Sequence, residues 1–416
     1  MNIKNFTILT LFLFLSVGFS LAQTDKLSAP RQEKLLNGLK LLTWNEPNAE
    51  KVTVKLRIHS GSAFDPQAKE GTMALLSDIL FPDDAAKEFF REDLGGSIDI
   101  ESNYDYVQIT ATANSDQFLT MLETIANAVT KPQIDKEITA KVISARLAKV
   151  KELEKNPAYI ADLAVAKRLY GDFPYGRAQT GTSESLTKID FADLLFARQR
   201  FLTPDNATLA VVGKVKSDLV NRAVRRYFGA WEKSDKKVPA TFAQPETPNT
   251  EVFKISLNNL EKEFFRNASE GFSRNDKDYY SNVIITKVWQ SRLSKFPNLF
   301  FKYEPHLLRG IIVWGFSSTD DSDANNENKT EVKKQENKKV IKSEEFEKAK
   351  AELLNELNLS NVANWWLDVD TYKLVSVKDE LQKVNSITSV DVQRVFDKLQ
   401  KEPSVTVFIE KIEEKK

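Results

Sequence analysis

The chain has 416 residues, with 59 Lys plus Arg against 59 Asp plus Glu, two His and no Cys. Zero net charge excludes the broad basic field that nucleic acid or an anionic membrane would require. Absence of cysteine excludes disulfides and thiolate metal sites, so an apolar core must hold the fold, and the length predicts two or three domains.

Met1 and Lys4 precede an apolar run over residues 6–19 and the small-residue ending Ser20-Leu21-Ala22. This is the layout of a secretory signal peptide over 1–22, because the run falls short of the roughly 20 residues that a bilayer-spanning helix needs. Cleavage after Ala22 is expected, giving a periplasmic or extracellular mature protein without stable membrane insertion. Residues 23–33 read as a polar leader. Apolar residues cluster at strand length over 35–44 and 52–58, with a tight turn at Asn37-Gly38. Residues 70–81 read as a helix, 97–104 and 106–113 as strands broken near Asp105, and 118–129 as a helix with apolar positions 118, 119, 122, 125, 126 and 129. A long helix is expected over 134–154 and a second one from Asn156-Pro157 to Tyr170. A buried strand at 207–212 and a helix at 219–228 close this half. The interleaving predicts an α+β domain with a mainly antiparallel sheet over 34–231.

Residues 232–250 mix Lys, Pro and Thr without apolar periodicity and read as a linker. A second domain over 251–412 repeats the rhythm more loosely, with strands at 252–257, 310–316 and 405–409 and helices at 278–293 and 344–357. Similar element order in two halves suggests an internal duplication. Within it, 319–343 (TDDSDANNENKTEVKKQENKKVIKS) has almost no large apolar residue and reads as a disordered insert.

Several ordered segments resemble one family. They are Leu36-Asn37-Gly38-Leu39, Ser60-Gly61-Ser62, Leu94-Gly95-Gly96-Ser97-Ile98, Pro174-Tyr175-Gly176 with Gly181-Thr182, and the run from Phe201 to Gly213; Asp276 to Tyr280, Ser291-Arg292-Leu293, Glu345 to Lys350 and Ile387 to Gln393 follow in the second half. In this order and spacing the chain resembles the insulinase/pitrilysin metallopeptidases, the inverzincins. The resemblance implies two homologous insulinase-type domains, each a mainly antiparallel sheet packed against helices. It also implies a zinc helix H-x-x-E-H, with two His ligands, a Glu that activates water and a distal Glu ligand.

Those residues are replaced. By register with Gly71 and Phe81, Ala74 stands at the first His, Ser77 at the Glu and Asp78 at the second His. Where the resemblance places the distal Glu, the long helix offers Arg146 and Lys149, with Glu152 and Glu154 read as solvated. No zinc cofactor is therefore expected, and an all-carboxylate site would favour hard ions such as calcium. Asp78 is either a relic facing a cleft or a capped or paired surface group. His59 is read as ending a strand at the surface, His306 as lying in an exposed turn, and Trp365-Trp366 as helical core. The resemblance also implies an Arg and a Tyr in the second domain that hold substrate backbone. Residues 294–302 (SKFPNLFFK) contain no Arg, which leaves Tyr303 as the possible substrate contact. The resulting expectation is a non-catalytic, exported subunit that helps an active insulinase-family sibling bind and process unfolded peptide. A stand-alone peptide-binding or scaffolding protein of the cell envelope is the alternative. A peptidase with an unorthodox site finds no nucleophile-base pair to support it.

Overall fold

A computed structural model describes residues 29–411 apart from 236–237, 239–241, 243–244, 246, 259, 297, 318–329, 331–339 and 360–361. The expected signal peptide, the leader before residue 29, parts of the linker and most of the insert lie outside the described residues. The leader reading needs one correction. Residues 31–34 form a strand, β1 (Arg31–Lys34), paired antiparallel to β2 (Lys40–Asn45) across the turn whose Gly38 has φ +97°.

The first domain continues with β3 (Lys51–Ile58), α1 (Thr72–Leu80), α2 (Ala85–Glu92), β4 (Ser97–Ser102), β5 (Val107–Asn114) and α3 (Phe118–Thr130). Helices α4 (Lys136–Leu153), α5 (Pro157–Tyr170), α6 (Ser183–Leu186) and α7 (Phe191–Phe201) precede β6 (Ala207–Gly213) and α8 (Ser217–Phe228). The break between α4 and α5 has a local cause. Asn156 accepts from the backbone N–H groups of Ala158 and Tyr159, and Pro157 sits where a helix needs no N–H donor. The alternation in β3 turns Val52, Val54, Leu56 and Ile58 into a core shared with α1, α3, α7 and α8. From α3 alone, Phe118, Met121, Leu122, Ile125, Ala126 and Val129 are buried there. Each large side chain of this set contributes about 1.5–3 kcal/mol.

The second domain contains β7 (Phe253–Leu257), β8 (Phe264–Glu270), α9 (Tyr279–Leu293), β9 (Leu299–Glu304), β10 (Ile311–Ser317), α10 (Ser343–Leu359), α11 (Val362–Tyr372), α12 (Val377–Ser386), α13 (Ser389–Leu399) and β11 (Ser404–Lys411). Its sheet order β7-β11-β8-β10-β9 repeats β2-β6-β3-β5-β4 of the first sheet, element for element. In both sheets the pair that includes the last strand and the first member of this series (β2 with β6, β7 with β11) is parallel, and the other pairs are antiparallel. The duplication suggested by element order is therefore present in the topology.

The domains exchange helices. The α5 helix of the first lies on β8 and β11 of the second sheet, and α11 of the second lies on β6 of the first. Residues on the sheet faces reflect this. Leu42, Trp44 and Ala210 pack against Ala363 and Leu367, and Trp44 meets Trp366 edge-on at 6.3 Å between ring centres.

Candidate functional site

The α1 helix begins where Gly71, at φ +96°, turns the chain, and this turn faces Gly181 so closely that a side chain at either position would collide with the other loop. Asp65 caps the helix, its carboxylate accepting from the N–H groups of Gly71 at 2.7 Å and Met73 at 2.8 Å. Burial pushes this carboxyl up to about 7 against the pull of the two donors. Met73, Leu76 and Leu80 then face the sheet core, while Leu75 and Ile79 face Val142 and Val150 of α4. Of the nine residues of α1, only Asp78 escapes full burial.

The sequence-derived positions 74, 77 and 78 meet Arg146 of α4 on the remaining helix face. The guanidinium of Arg146 donates from Nε to Oδ2 of Asp78 at 2.7 Å and from Nη2 to Oδ1 at 2.8 Å. The same Nη2 reaches the Ala74 carbonyl at 3.3 Å. Ser77 Oγ donates to that carbonyl at 2.6 Å. Asp78 retains about one third exposure of its side chain and Arg146 about one sixth. Lys149 is exposed on α4, one turn further along and away from this cluster. Glu152 is a solvated partner of Lys155. Glu154 departs from the solvated reading, because its carboxylate accepts from the Ser183 N–H at 2.7 Å and from the Ser183 hydroxyl, tying the end of α4 to the start of α6. A carboxylate at a helix N-terminus satisfies donors that would otherwise be orphaned.

The donor chemistry here does not fit a zinc ion. A methyl group cannot ligate, the serine hydroxyl is held on a backbone carbonyl, and the only carboxylate is gripped in a two-point fork by a cation that cannot lose its proton. A divalent cation at this spot would sit against the guanidinium charge. Among the described residues no three His, Cys, Asp or Glu side chains gather to hold a metal. The arrangement serves instead as a brace between α1 and α4. Replacing Asp78 with Ala should strand the Arg146 guanidinium and lower stability by about 2 kcal/mol, with most of the loss returned when Arg146 is changed to Met in the same chain. Urea midpoints at constant slope would measure both.

Both histidines are placed differently from the surface positions expected. His59 follows β3 and lies between the domains, one ring nitrogen 3.0 Å from Thr371 Oγ1 of α11 and the other 3.0 Å from Thr208 Oγ1 of β6. Burial lowers its pKa to about 3, so the ring is neutral at physiological pH. His306 is buried, not exposed, with Nδ1 3.1 Å from Asp105 Oδ2 and its ring against Tyr175 and Tyr104. In both cases the other domain supplies the cover, which is invisible to local pattern. Tyr303, the possible substrate contact, lies on β9 and donates its hydroxyl to the Phe272 carbonyl at 2.7 Å, with its ring against Gly271. Burial raises its pKa, and the hydroxyl is already committed within the domain.

Residues that the sequence reading missed are Arg57, Asp368 and Asp105, all at the domain interface. A usable signal existed for the first two. Lys55 and Arg57 alternate with apolar positions on β3, and Asn364, Asp368 and Thr371 recur at helical spacing on α11, which pairs a basic strand face with an acidic helix face.

The model of the insulinase (peptidase family M16) domain matches residues 40–183, and the model of the peptidase M16 inactive domain matches residues 188–292. A protein of Rickettsia felis named an uncharacterized zinc protease is 24% identical over 216 residues, spanning 50% of this chain and 52% of that protein. The chain thus spans about half the length of that relative. The probable mitochondrial-processing peptidase subunit beta of Schizosaccharomyces pombe is 20% identical over 290 residues, 66% of this chain and 63% of that one. The fold is that of a protease from Helicobacter pylori, with a TM-score of 0.82 at 16% identity over 92% of this chain and all of the other.

Proposed function

The chain belongs to the insulinase family of M16 peptidases, and from that premise we propose that it acts without metal, as an exported non-catalytic subunit that helps an active sibling of the same family bind and process unfolded peptides. The observation that carries this reading is the Arg146 guanidinium, anchored by Asp78 and the Ala74 carbonyl on the helix face where the family's ligands belong. Losing the ligands alone would leave an open cleft. Here a paired cation bridges those positions, which gives the replacement its own cohesion.

The sibling part of the proposal is supported by the kinship with a protein named as one subunit of a processing peptidase. Export is supported by the signal-like layout of residues 1–22. No helix among the described residues is long and apolar enough to cross a membrane. A stand-alone peptide-binding or scaffolding protein of the cell envelope remains the second reading, favoured by the repeated sheet topology of the two domains.

Metal content is the first test. Purified protein incubated with zinc and then gel-filtered should retain well under about 0.1 zinc per chain, since affinity in such sites rests on deprotonated His, Cys or carboxylate donors. Stoichiometric zinc, or chelator-sensitive cleavage of an unstructured peptide, would overturn the metal-free reading. Sedimentation with an insulinase-family sibling encoded nearby should give a heterodimer; a persistent monomer would leave the stand-alone reading.

A further inference from the structure

We propose that the second domain carries a docking groove for an amphipathic helix presented by a partner protein. In the first domain α3 follows β5 and packs on it, α8 follows β6 and packs on α3 and β2, and together they cover the sheet face beside α1. In the second domain α9 stands for α1, β10 for β5, α10 for α4, α13 for α7 and β11 for β6. Among the described residues, a single helical residue, the polar Thr330, lies where α3 would be, and no apolar helix stands for α3 or α8.

What α3 would cover is a cavity of about 460 Å³ between α9, α13 and the sheet, within the range of ligand-binding clefts. Trp289, Leu293, Phe301, Trp314, Phe396 and Leu399 line it. Trp289 and Phe301 stack with ring centres 5.7 Å apart, and the aromatic surface continues along the sheet from Trp314 to Phe265, Phe316 and Phe408. The polar floor is internally satisfied. Trp314 Nε1 donates to Asn267 Oδ1 at 3.0 Å, and Asn267 Nδ2 donates to Thr406 Oγ1 at 3.0 Å. The groove therefore presents apolar surface and asks no buried polar partner of an occupant, as a helix-in-groove site does.

The stretch of chain at the position of α3 does not have the sequence of that occupant. Where the first domain places α3 with six buried apolar or small residues, the stretch between β10 and α10 has Val332 as its only large apolar residue before Val340. An apolar face must come from outside, and the duplicated architecture says which shape fits: a helix of about three turns with apolar residues at i, i+3, i+4 and i+7, as Phe118, Met121, Leu122 and Ile125 are arranged in α3. This inference rests on the second domain alone and does not depend on the metal-free reading.

The probe is a fluorescein-labelled peptide of the α3 sequence FLTMLETIANAVT, flanked by solubilising lysines, titrated with the whole protein. Saturable anisotropy is expected, with a shift in tryptophan emission because Trp289 and Trp314 line the groove. Leu399→Glu, at the groove mouth, should weaken binding about tenfold or more while leaving the thermal midpoint within a few degrees. Trp314→Ala serves as the second variant and is scored only if its circular dichroism is unchanged. Absence of saturable binding would overturn the proposal, as would equal affinity for the peptide carrying Ile125→Pro or an unchanged affinity in Leu399→Glu. Concentration-dependent dimerisation that Leu399→Glu abolishes would assign the groove to a second copy and overturn it equally.

Discussion

Replacing Asp368 with Ala is expected to destabilise the protein by about 3 kcal/mol, although the aspartate itself is partly exposed. The cost arises at its partner. Arg57 has a side chain only 2% exposed, and its Nη1 donates to Asp368 Oδ1 at 2.7 Å and to Thr371 Oγ1 at 3.3 Å. Its Nε donates to Gln108 Oε1 at 2.8 Å, and the guanidinium lies 4.1 Å from the centre of the Tyr106 ring. Without Asp368 a cation stays enclosed between β3 and α11 with no countercharge, and breaking such a pair costs about 3–5 kcal/mol when both partners are fully buried. Partial exposure of Asp368 sets the expectation at the lower end. Changing Arg57 to Met and Asp368 to Leu together should restore most of the loss, since the pair can give way to apolar packing. Guanidinium midpoints for the single and double variants measure the coupling directly, and equal losses in Asp368→Ala and the double variant would refute the account.

The second large effect is expected at Asp105. Its side chain is 3% exposed and joins three segments at the domain interface. Oδ1 accepts from the Tyr175 hydroxyl at 3.0 Å and from the Leu307 N–H at 3.2 Å, and Oδ2 faces His306 Nδ1 at 3.1 Å. Tyr175 also accepts from the Leu308 N–H at 3.2 Å, so its hydroxyl is oriented from both sides. Asp105→Ala leaves a phenol, a backbone N–H and an imidazole without their acceptor, and an unsatisfied buried group costs about 1–3 kcal/mol. Sharing and relaxation make about 3 kcal/mol the expected total. Asp105→Asn keeps an acceptor for Tyr175 and Leu307 and should cost about 1 kcal/mol. Calorimetry would rank the two, and limited proteolysis of the 232–250 linker should accelerate in the alanine variant alone. Comparable melting of both variants would mean that the carboxylate is not the joint.

Much of the first domain was legible because its elements carry strong, single-period patterns. The strands around Leu56 and Ile109, the helix from Phe118 and the Asn156-Pro157 restart all follow local rules that the tertiary structure did not override. The second domain was less legible. Phe264–Glu270 and Leu299–Glu304 do not alternate cleanly, because the aromatics of β8 and β9 spread over a face only partly covered. Of the three helices from Val362 to Leu399, α11 was anticipated only at Trp365-Trp366, and α12 and α13 are short and rich in charge. For the site, the family resemblance and its register named Ala74, Ser77, Asp78 and Arg146, and the structure brings these four together. It does not bring Lys149 or Tyr303 to them. The pairing of Asp78 with Arg146, 68 residues apart in the chain, could not be read from one sequence, and neither could the burial of His59 and His306, whose covering surfaces come from the opposite domain.

The exchange of helices between the sheets sets a schedule for biosynthesis. When β6 emerges and the first sheet can close, its outer face, with Leu42, Trp44 and Ala210, has no partner until α11 arrives about 160 residues later. At about 5–20 residues per second that gap lasts on the order of 10–30 seconds. During it Arg57 and Lys55 share an uncovered surface with the apolar residues that surround Trp44. A nascent chain in this state offers a holdase the mixed basic and aromatic patch that the finished protein hides, and α11, with two helices still to follow it, is the element that releases it.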